Sequence, residues 1–199
     1  MILTLRWRIP ERAVTTRWAG PEGMLDAVAR NPATAIAAIV GVGGGGSNSL
    51  SVGLATAIGT LTVPADVGVI RTSGYAAAGK GAAAYVSDAL ANASLAASLP
   101  RVCKQSADGR FWRLLPDPAI GVTQVGASGD GETDDYQAIQ AALDYAQTFS
   151  SATVDFPAGY YIVRQTPQLT DAAGINLRGE GPDATAIVAG AFPAFKTTG

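Results

Sequence analysis

The chain of 199 residues contains no histidine and a single cysteine, Cys103. Without imidazole, the Ser-His-Asp and Cys-His arrangements, the usual neutral-pH general base, and any zinc site built on His and Cys are excluded. A lone cysteine cannot close a disulfide within the chain. Cys103 stands between Val102 and Lys104 in a predicted strand, where a small packed residue is preferred to a reactive thiol. Charge is sparse as well: 15% of residues are charged, the formal net charge is −2 and the pI is about 5.0. That balance argues against a large nucleic-acid surface, which needs clustered Lys and Arg to displace counterions. No apolar run reaches the roughly 20 residues that span a bilayer, so no membrane insertion is expected. Arg6, Arg8, Glu11, Arg12 and Arg17 fall where a secretory signal would place its apolar stretch. Synthesis and folding in a cytoplasm, without export through a signal peptide, are therefore expected.

What remains is apolar and rich in turns. Hydrophobic residues make up 48% of the chain, enough for one or two small folded domains, and the 24 glycines and 11 prolines favour short strands over long helices. Residues 2–9 alternate, with Leu3, Leu5, Trp7 and Ile9 on one face, and read as a half-buried strand ended by Pro10. Residues 21–30 read as a short helix halted by Asn31-Pro32. The first 30 residues carry five arginines against three acids, an excess that either docks on an acidic partner or lines a solvated edge. Residues 41–49 are glycine-rich and end in Ser-Asn-Ser, a flexible linker. They also satisfy G-x-G-x-x-G, but a dinucleotide site requires a helix to begin there, and the residues that follow read as strand and turn.

Residues 50–118 read as a small β-rich module. Strands are predicted at 54–63, 67–72, 82–86, 102–105 and 110–115, with a hairpin turn at Ala107-Asp108-Gly109 and a short helix over 88–98. From residue 119 the rhythm changes. Asp130-Gly131 reads as a turn, and Thr133, Asp134 and Asp135 supply N-cap and first-turn oxygens for a helix. Ala138, Ile139, Ala142, Leu143 and Ala146 give that helix one apolar face. Short strands follow at 152–156, 160–164, 174–179 and 185–189. The acidic cluster Asp130, Glu132, Asp134 and Asp135 is read as turn and helix capping rather than a calcium loop, because Asp135 occupies the position where an EF-hand needs glycine. No metal and no cofactor are expected.

The run from Val125 to Ala142, then Val154-Asp-Phe-Pro-Ala-Gly-Tyr-Tyr-Ile-Val163 and Ile175-Asn-Leu-Arg-Gly-Glu-Gly181, resembles the opening of the pectate-lyase-like right-handed β-helix family found in tailspikes and glycan-active enzymes. Ile70-Arg-Thr-Ser-Gly-Tyr75, Gly79-Lys-Gly-Ala82 and Gln105-Ser-Ala-Asp-Gly-Arg-Phe-Trp112 are similar to a small module that precedes such a β-helix in tailspike-type proteins. Leu3-Thr-Leu-Arg-Trp-Arg8, Gly23-Met-Leu-Asp26 and Asn31-Pro-Ala33 are similar to the start of some prophage tail-fibre subunits.

The resemblance implies a mainly β fold with short helices: an N-terminal tail-anchoring segment (1–40), the linker (41–49), the small β-rich module (50–118), and a capping helix with the first coils of a right-handed parallel β-helix, incomplete, over 119–199. It implies a homotrimeric virion protein made in the bacterial host cytoplasm. Its N-terminus would meet a phage tail or baseplate protein, and a distal region outside this chain would meet host surface polysaccharide. Arg6, Trp7, Arg8, Arg17 and Trp18 are then candidates for tail contact, against a reading in which Trp7 is ordinary core and the arginines are solvated.

A solenoid needs about three stacked repeats for stability, and one or two coils fit after Ala152, so the chain reads as the N-terminal part of a longer polypeptide. Asp155, Asp171, Glu180 and Asp183 are given turn and capping roles, and no catalytic residue is expected. The alternatives are the start of a polysaccharide depolymerase, lyase or hydrolase, with its active site beyond this chain, and a free-standing cellular β-helix protein.

Overall fold

The computed structural model describes residues 48–170, 174–190 and 193–197. The chain divides into Met1–Val42 and Gly43–Gly199, and every described residue lies in the second part. The expected strand 2–9, helix 21–30, the tail-contact candidates Arg6, Trp7, Arg8, Arg17 and Trp18, the glycine run 41–46 and Asp171 lie outside the described residues.

The first element group is a five-stranded sheet of β1 (Ser49–Leu54), β2 (Val69–Gly74), β3 (Ala83–Val86), β4 (Cys103–Gln105) and β5 (Phe111–Leu114). Its order is β1-β2-β3-β5-β4, with β1 and β2 parallel and the remaining pairs antiparallel. Ser49, read from sequence as linker, opens β1. The strand expected at 54–63 is largely a 3-10 helix, Ala55–Thr60. Its buried residues are Ala55 and Ile58, three apart, the repeat of a 3-10 turn and not the alternation of a strand. The expected hairpin joins β4 to β5, with Gly109 at φ +86° and Trp112 Nε1 donating to Ser106 Oγ at 2.9 Å. Ile70, Tyr85, Trp112 and Leu114 fill the sheet's inner face.

Helix α1 spans Ala93–Ser98, not 88–98. Asn92 is the true N-cap, its Oδ1 accepting from Leu95 N at 2.9 Å, because the Asp88 carboxylate is occupied elsewhere. Asp88 accepts the N–H groups of Leu90 and Ala91 and pairs with Arg113 at 2.5 Å. Cys103 is buried and free, and burial raises its thiol above the ordinary value.

The second group is built of parallel strands. In chain order these are β6 (Ile120–Gly121), β7 (Asp130–Asp134), β8 (Ala152–Phe156), β9 (Gly159–Val163), β10 (Gln168–Leu169), β11 (Ile175–Gly179), β12 (Thr185–Ala189) and β13 (Lys196–Thr197). They form three parallel sheets, β6-β8-β11, β7-β9-β12 and β10-β13. The first turn of chain lays β6 and β7 on two of the sheets, and each of the next two turns lays one strand on all three. Register puts like positions over one another: Ile120, Val154 and Leu177 form one inward column, and Tyr161 pairs with Ile187 in another. Phe156 meets Tyr161 edge-on at 5.6 Å between ring centres.

Helix α2 (Tyr136–Ala146) lies between β7 and β8 and buries Ala138, Ile139, Ala142, Leu143 and Ala146, the apolar face expected from sequence, together with Ala141 and Tyr145. Its start is corrected by the structure. Thr133 and Asp134 belong to β7, and the first turn of α2 carries no acid. Strand β7 has no apolar residue, so nothing in its pattern announces it; pairing with β9, through a register shift, makes it a strand. Asp134 Oδ1 accepts from Tyr136 N at 3.1 Å, while Asp135 turns inward to accept from Ser128 N and Gly129 N. Tyr145 ties α2 to the first sheet, donating to Leu114 O at 2.7 Å and accepting from Arg113 Nη1 at 3.0 Å. One continuous core runs from Trp112 and Leu114 through Ile139 and Leu143 to Val154 and Tyr161.

Leu143 is fully buried beneath this junction, and Leu143→Ala is expected to cost roughly 2–5 kcal/mol, read as a lower urea midpoint. Asp88 gives a pH test. The hydrogen bond from Arg113 is the largest influence holding its carboxyl below the ordinary value. A depressed folded-state pKa contributes stability above the unfolded value and loses it as pH falls through the folded one. Asp88→Asn is therefore expected to be less stable than the parent at pH 7, and the two unfolding curves to converge below about pH 4.

Candidate functional site

Residues of β8 and β11 alternate between the core and the outside, and register decides which outward groups meet. Gly121, Asp155 and Arg178 form the outward column beside Ile120, Val154 and Leu177. Arg178 Nε donates to Asp155 Oδ1 at 2.8 Å. Asp155, expected in a turn or capping role, is thus half of an ion pair between coils. The pair borders a cleft of about 200 Å³ whose lining includes Asp117, Gln124, Asp155, Pro157 and Arg178. Two carboxylates, an amide and a guanidinium give it both donors and acceptors, the set that hydrogen-bonds sugar hydroxyls. Arg178 is 58% exposed at its side chain, so its charge remains available at the cleft wall.

Two apolar features accompany the cleft. At the β11 end of the coils Leu177 is 43% exposed, and a cavity of about 510 Å³ is lined by Phe156, Leu177, Ile187 and Phe195 among others. The free edges of β11 and β12 lie there among the described residues. On the outer face of the β9 sheet, Tyr160 (59% exposed) and Val188 (44%) stand out from the coils, with Ile162 registered beside Val188. Glu180 and Asp183 lie in the exposed connection between β11 and β12, as expected.

The acidic cluster is committed to β7 and the residues that flank it. Asp130 accepts from the Thr133 and Glu132 backbone N–H groups and from the Ser128 and Thr133 hydroxyls, and these bonds, those from Thr133 foremost, hold its carboxyl well below the usual range. Asp135 is buried, and burial raises its carboxyl despite the two backbone N–H groups it accepts. Among the described residues no group of three or more His, Cys, Asp and Glu is arranged to hold a metal ion. Nor is any helix there long and apolar enough to cross a membrane.

Sequence reasoning assigned no role to Asp117, Arg178 or Tyr160. The spacing of Asp155 and Arg178 becomes meaningful only once the coil register is known. Tyr160 carried a usable signal, an aromatic at the polar position of an alternating strand.

Residues 119–197 match the family "Rhamnogalacturonase A/epimerase, pectate lyase-like". Over this segment the chain is similar to the pectate-lyase-like β-helix family. The chain is 40% identical over 80 residues to mannuronan C5-epimerase AlgE1 of Azotobacter vinelandii, a stretch that is 37% of this chain and 6% of that protein. Among solved structures it is similar to tailspike protein 2 of Escherichia coli O157:H7 bacteriophage CAB120, at a TM-score of 0.55 and 13% identity over 90% of this chain and 21% of that one. It is also similar to the Acinetobacter phage vB_ApiP_P1 tailspike, at a TM-score of 0.53 and 20% identity over 77% of this chain and 26% of the other. The chain therefore spans a small part of each relative's length. The mainly β fold with a few short helices is shared with the tailspikes.

Outward and inward residues of the paired strands β8 and β11 are expected to behave differently. Arg178→Gln, which removes an exposed pair, is expected to change stability by less than about 1 kcal/mol. Phe156→Ala, one residue from Asp155 but facing in, is expected to cost roughly 3–5 kcal/mol, both read by urea unfolding.

Proposed function

We propose that this chain is the N-terminal, tail-attaching portion of a phage tailspike or tail-fibre subunit used in recognition of a host surface. The observation that carries this reading is the combination, around one core, of a small β-sheet module with helix-capped parallel coils, a fold similar to that of a phage tailspike at a TM-score of 0.55. Residues 1–40 anchor the protein to the tail, 41–49 link, 50–118 form the small module, and 119–199 begin a right-handed β-helix. Arg6, Trp7, Arg8, Arg17 and Trp18 meet a tail or baseplate protein, and a region distal to these coils meets the polysaccharide. The protein is a homotrimer in the virion, and the outward stripe of Tyr160, Ile162 and Val188 is apolar surface that a subunit contact would cover.

A second reading is favoured by one specific observation, the 40% identity to an epimerase acting on a polysaccharide over 80 residues. On that reading the full-length protein is a polysaccharide depolymerase, lyase or hydrolase, and these coils are the scaffold on which its active surface is carried.

Purified full-length protein is expected to block adsorption of its phage to host cells, and the combined Arg6→Ala, Arg8→Ala, Arg17→Ala variant to block adsorption equally while failing to enter particles. Full incorporation of that variant would overturn the anchoring role. Release of oligosaccharides from host capsule would establish the depolymerase reading alongside it. Val188→Glu is expected to shift the protein from trimer to monomer in sedimentation velocity, and an unshifted trimer would remove the stripe from the subunit contact.

A further inference from the structure

Tyr75 follows β2, its N–H donating to Lys80 O at 2.8 Å. Two cations converge on its phenol. The Arg101 guanidinium lies close enough to the Tyr75 phenol to favour its ionised form and, through Nη1, donates to Val125 O at 3.1 Å. Lys104 Nζ lies 4.9 Å from the centre of the Tyr75 ring and 3.5 Å from its hydroxyl, and donates to Pro100 O at 3.1 Å. Both cations are half-buried.

Neither meets a carboxylate. The ion pairs among the described residues are Arg110 with Asp108, Arg113 with Asp88 and Arg178 with Asp155. Guanidinium carries five N–H donors and ammonium three, yet their partners here are two carbonyls and one phenol. Two like charges drawn out of water at one ring repel each other and are underhydrated, and an anion between them removes both costs.

The arrangement is fixed by the backbone. Gly126 has φ +100°, and a Cβ there would lie 2.6 Å from the Tyr75 ring and 2.8 Å from Arg101 Nη1, so only glycine leaves room for the pair. Tyr75 and Gly126 also line a cleft of about 100 Å³ with Lys80, Thr123 and Ser128. Lys80 is the compensated cation of the neighbourhood, donating to Ser128 O at 2.5 Å and facing the charge of Asp135.

We propose that Tyr75, Arg101 and Lys104 form a binding site for an oxyanion, a single carboxylate or sulfate group carried on a ligand. The site lies on the small β-sheet and its flanking loops, beside Gly126, and it is independent of the function proposed above. Guanidinium and ammonium supply charge-assisted hydrogen bonds, and the phenol donates a third once Arg101 turns from it to the anion. Protonated Lys104 is required. Burial first, and the charge of Arg101 second, push its ammonium down to about 8. The other titratable groups facing it, the Tyr75 phenol and the Cys103 thiol, are both raised by burial and stay neutral through that range.

The test is a titration of the full chain, labelled with ¹⁵N and ¹³C, with sodium sulfate and separately with sodium glucuronate at constant ionic strength. The side-chain resonances of Tyr75, Arg101 and Lys104 are expected to shift and saturate, with a Kd on the order of 1 mM, the level that two charge-assisted hydrogen bonds support. Glucose produces no shift. Tighter saturation by glucuronate assigns the site to an acidic sugar, and tighter saturation by sulfate assigns it to a sulfate group. Arg101→Gln weakens binding about tenfold, the loss of one such hydrogen bond. In the unsubstituted protein binding falls as pH rises through 8, a readout that does not depend on the variant folding. Shifts that stay linear with concentration, or that are equally large at the exposed Arg164 and Lys196, would overturn the proposal.

Discussion

Parallel strands stacked in register bury like on like, and such a stack is stable only if its ends are covered. Here the inward column of Ile120, Val154 and Leu177, and the Tyr161–Ile187 pair beside it, run along the axis of the coils. At one end α2 lays Ile139, Leu143 and its alanines over the strands, and the small β-sheet continues that core through Tyr145, Arg113 and Leu114. At the other end Leu177 faces a cavity among the described residues. The small sheet is thus part of the closure and not an appended ornament, because Tyr145 reaches its backbone with a buried hydrogen bond.

Electrostatics follow the same division. Inside, the ionisable groups are few, and each has a local reason: Asp135 is buried on two backbone N–H groups, and Arg113 bridges Asp88 and Tyr145. Outside, the coil register lines up Asp155 with Arg178 at the edge of a polar cleft. The contrast explains why the outer faces can vary in chemistry while the inner columns hold the shape. A substitution on the outer face changes what the surface offers, whereas one on the inner face opens a hole in a column shared by successive coils.

The parts legible in the sequence were those with a strong local period. Strands β8, β9, β11 and β12 fell within a residue of their expected bounds because alternation, Pro157 and the turn glycines mark them, and α2 announced itself through its alanines, Ile139 and Leu143, whereas the two-residue strands β6, β10 and β13 are too short to show a period. What escaped lacked that period or depended on distance in sequence. Strand β7 is all polar, residues 55–60 repeat every third position and not every second, and the helix expected from residue 88 begins at Ala93, with Asp88 paired to an arginine 25 residues away. The Asp155–Arg178 cleft was hidden for the same reason, since only the coil register sets those two side chains together. The N-terminal candidates, Arg6 to Trp18, stand on resemblance and lie outside the described residues.

Hydrogen exchange of the backbone amides of this 199-residue chain tests the central claim, that α2 and the small sheet close one end of the coils while β11 and β12 are edge strands among the described residues. Among the described residues, strands β8 and β9 are paired on both sides and β11 and β12 on one side only. The account expects amides of β8 and β9, such as those of Val154 and Tyr161, to exchange only through global unfolding, and those of β11 and β12 to exchange faster through local opening. Equal protection of β8 and β11, or faster exchange in β8, would contradict it.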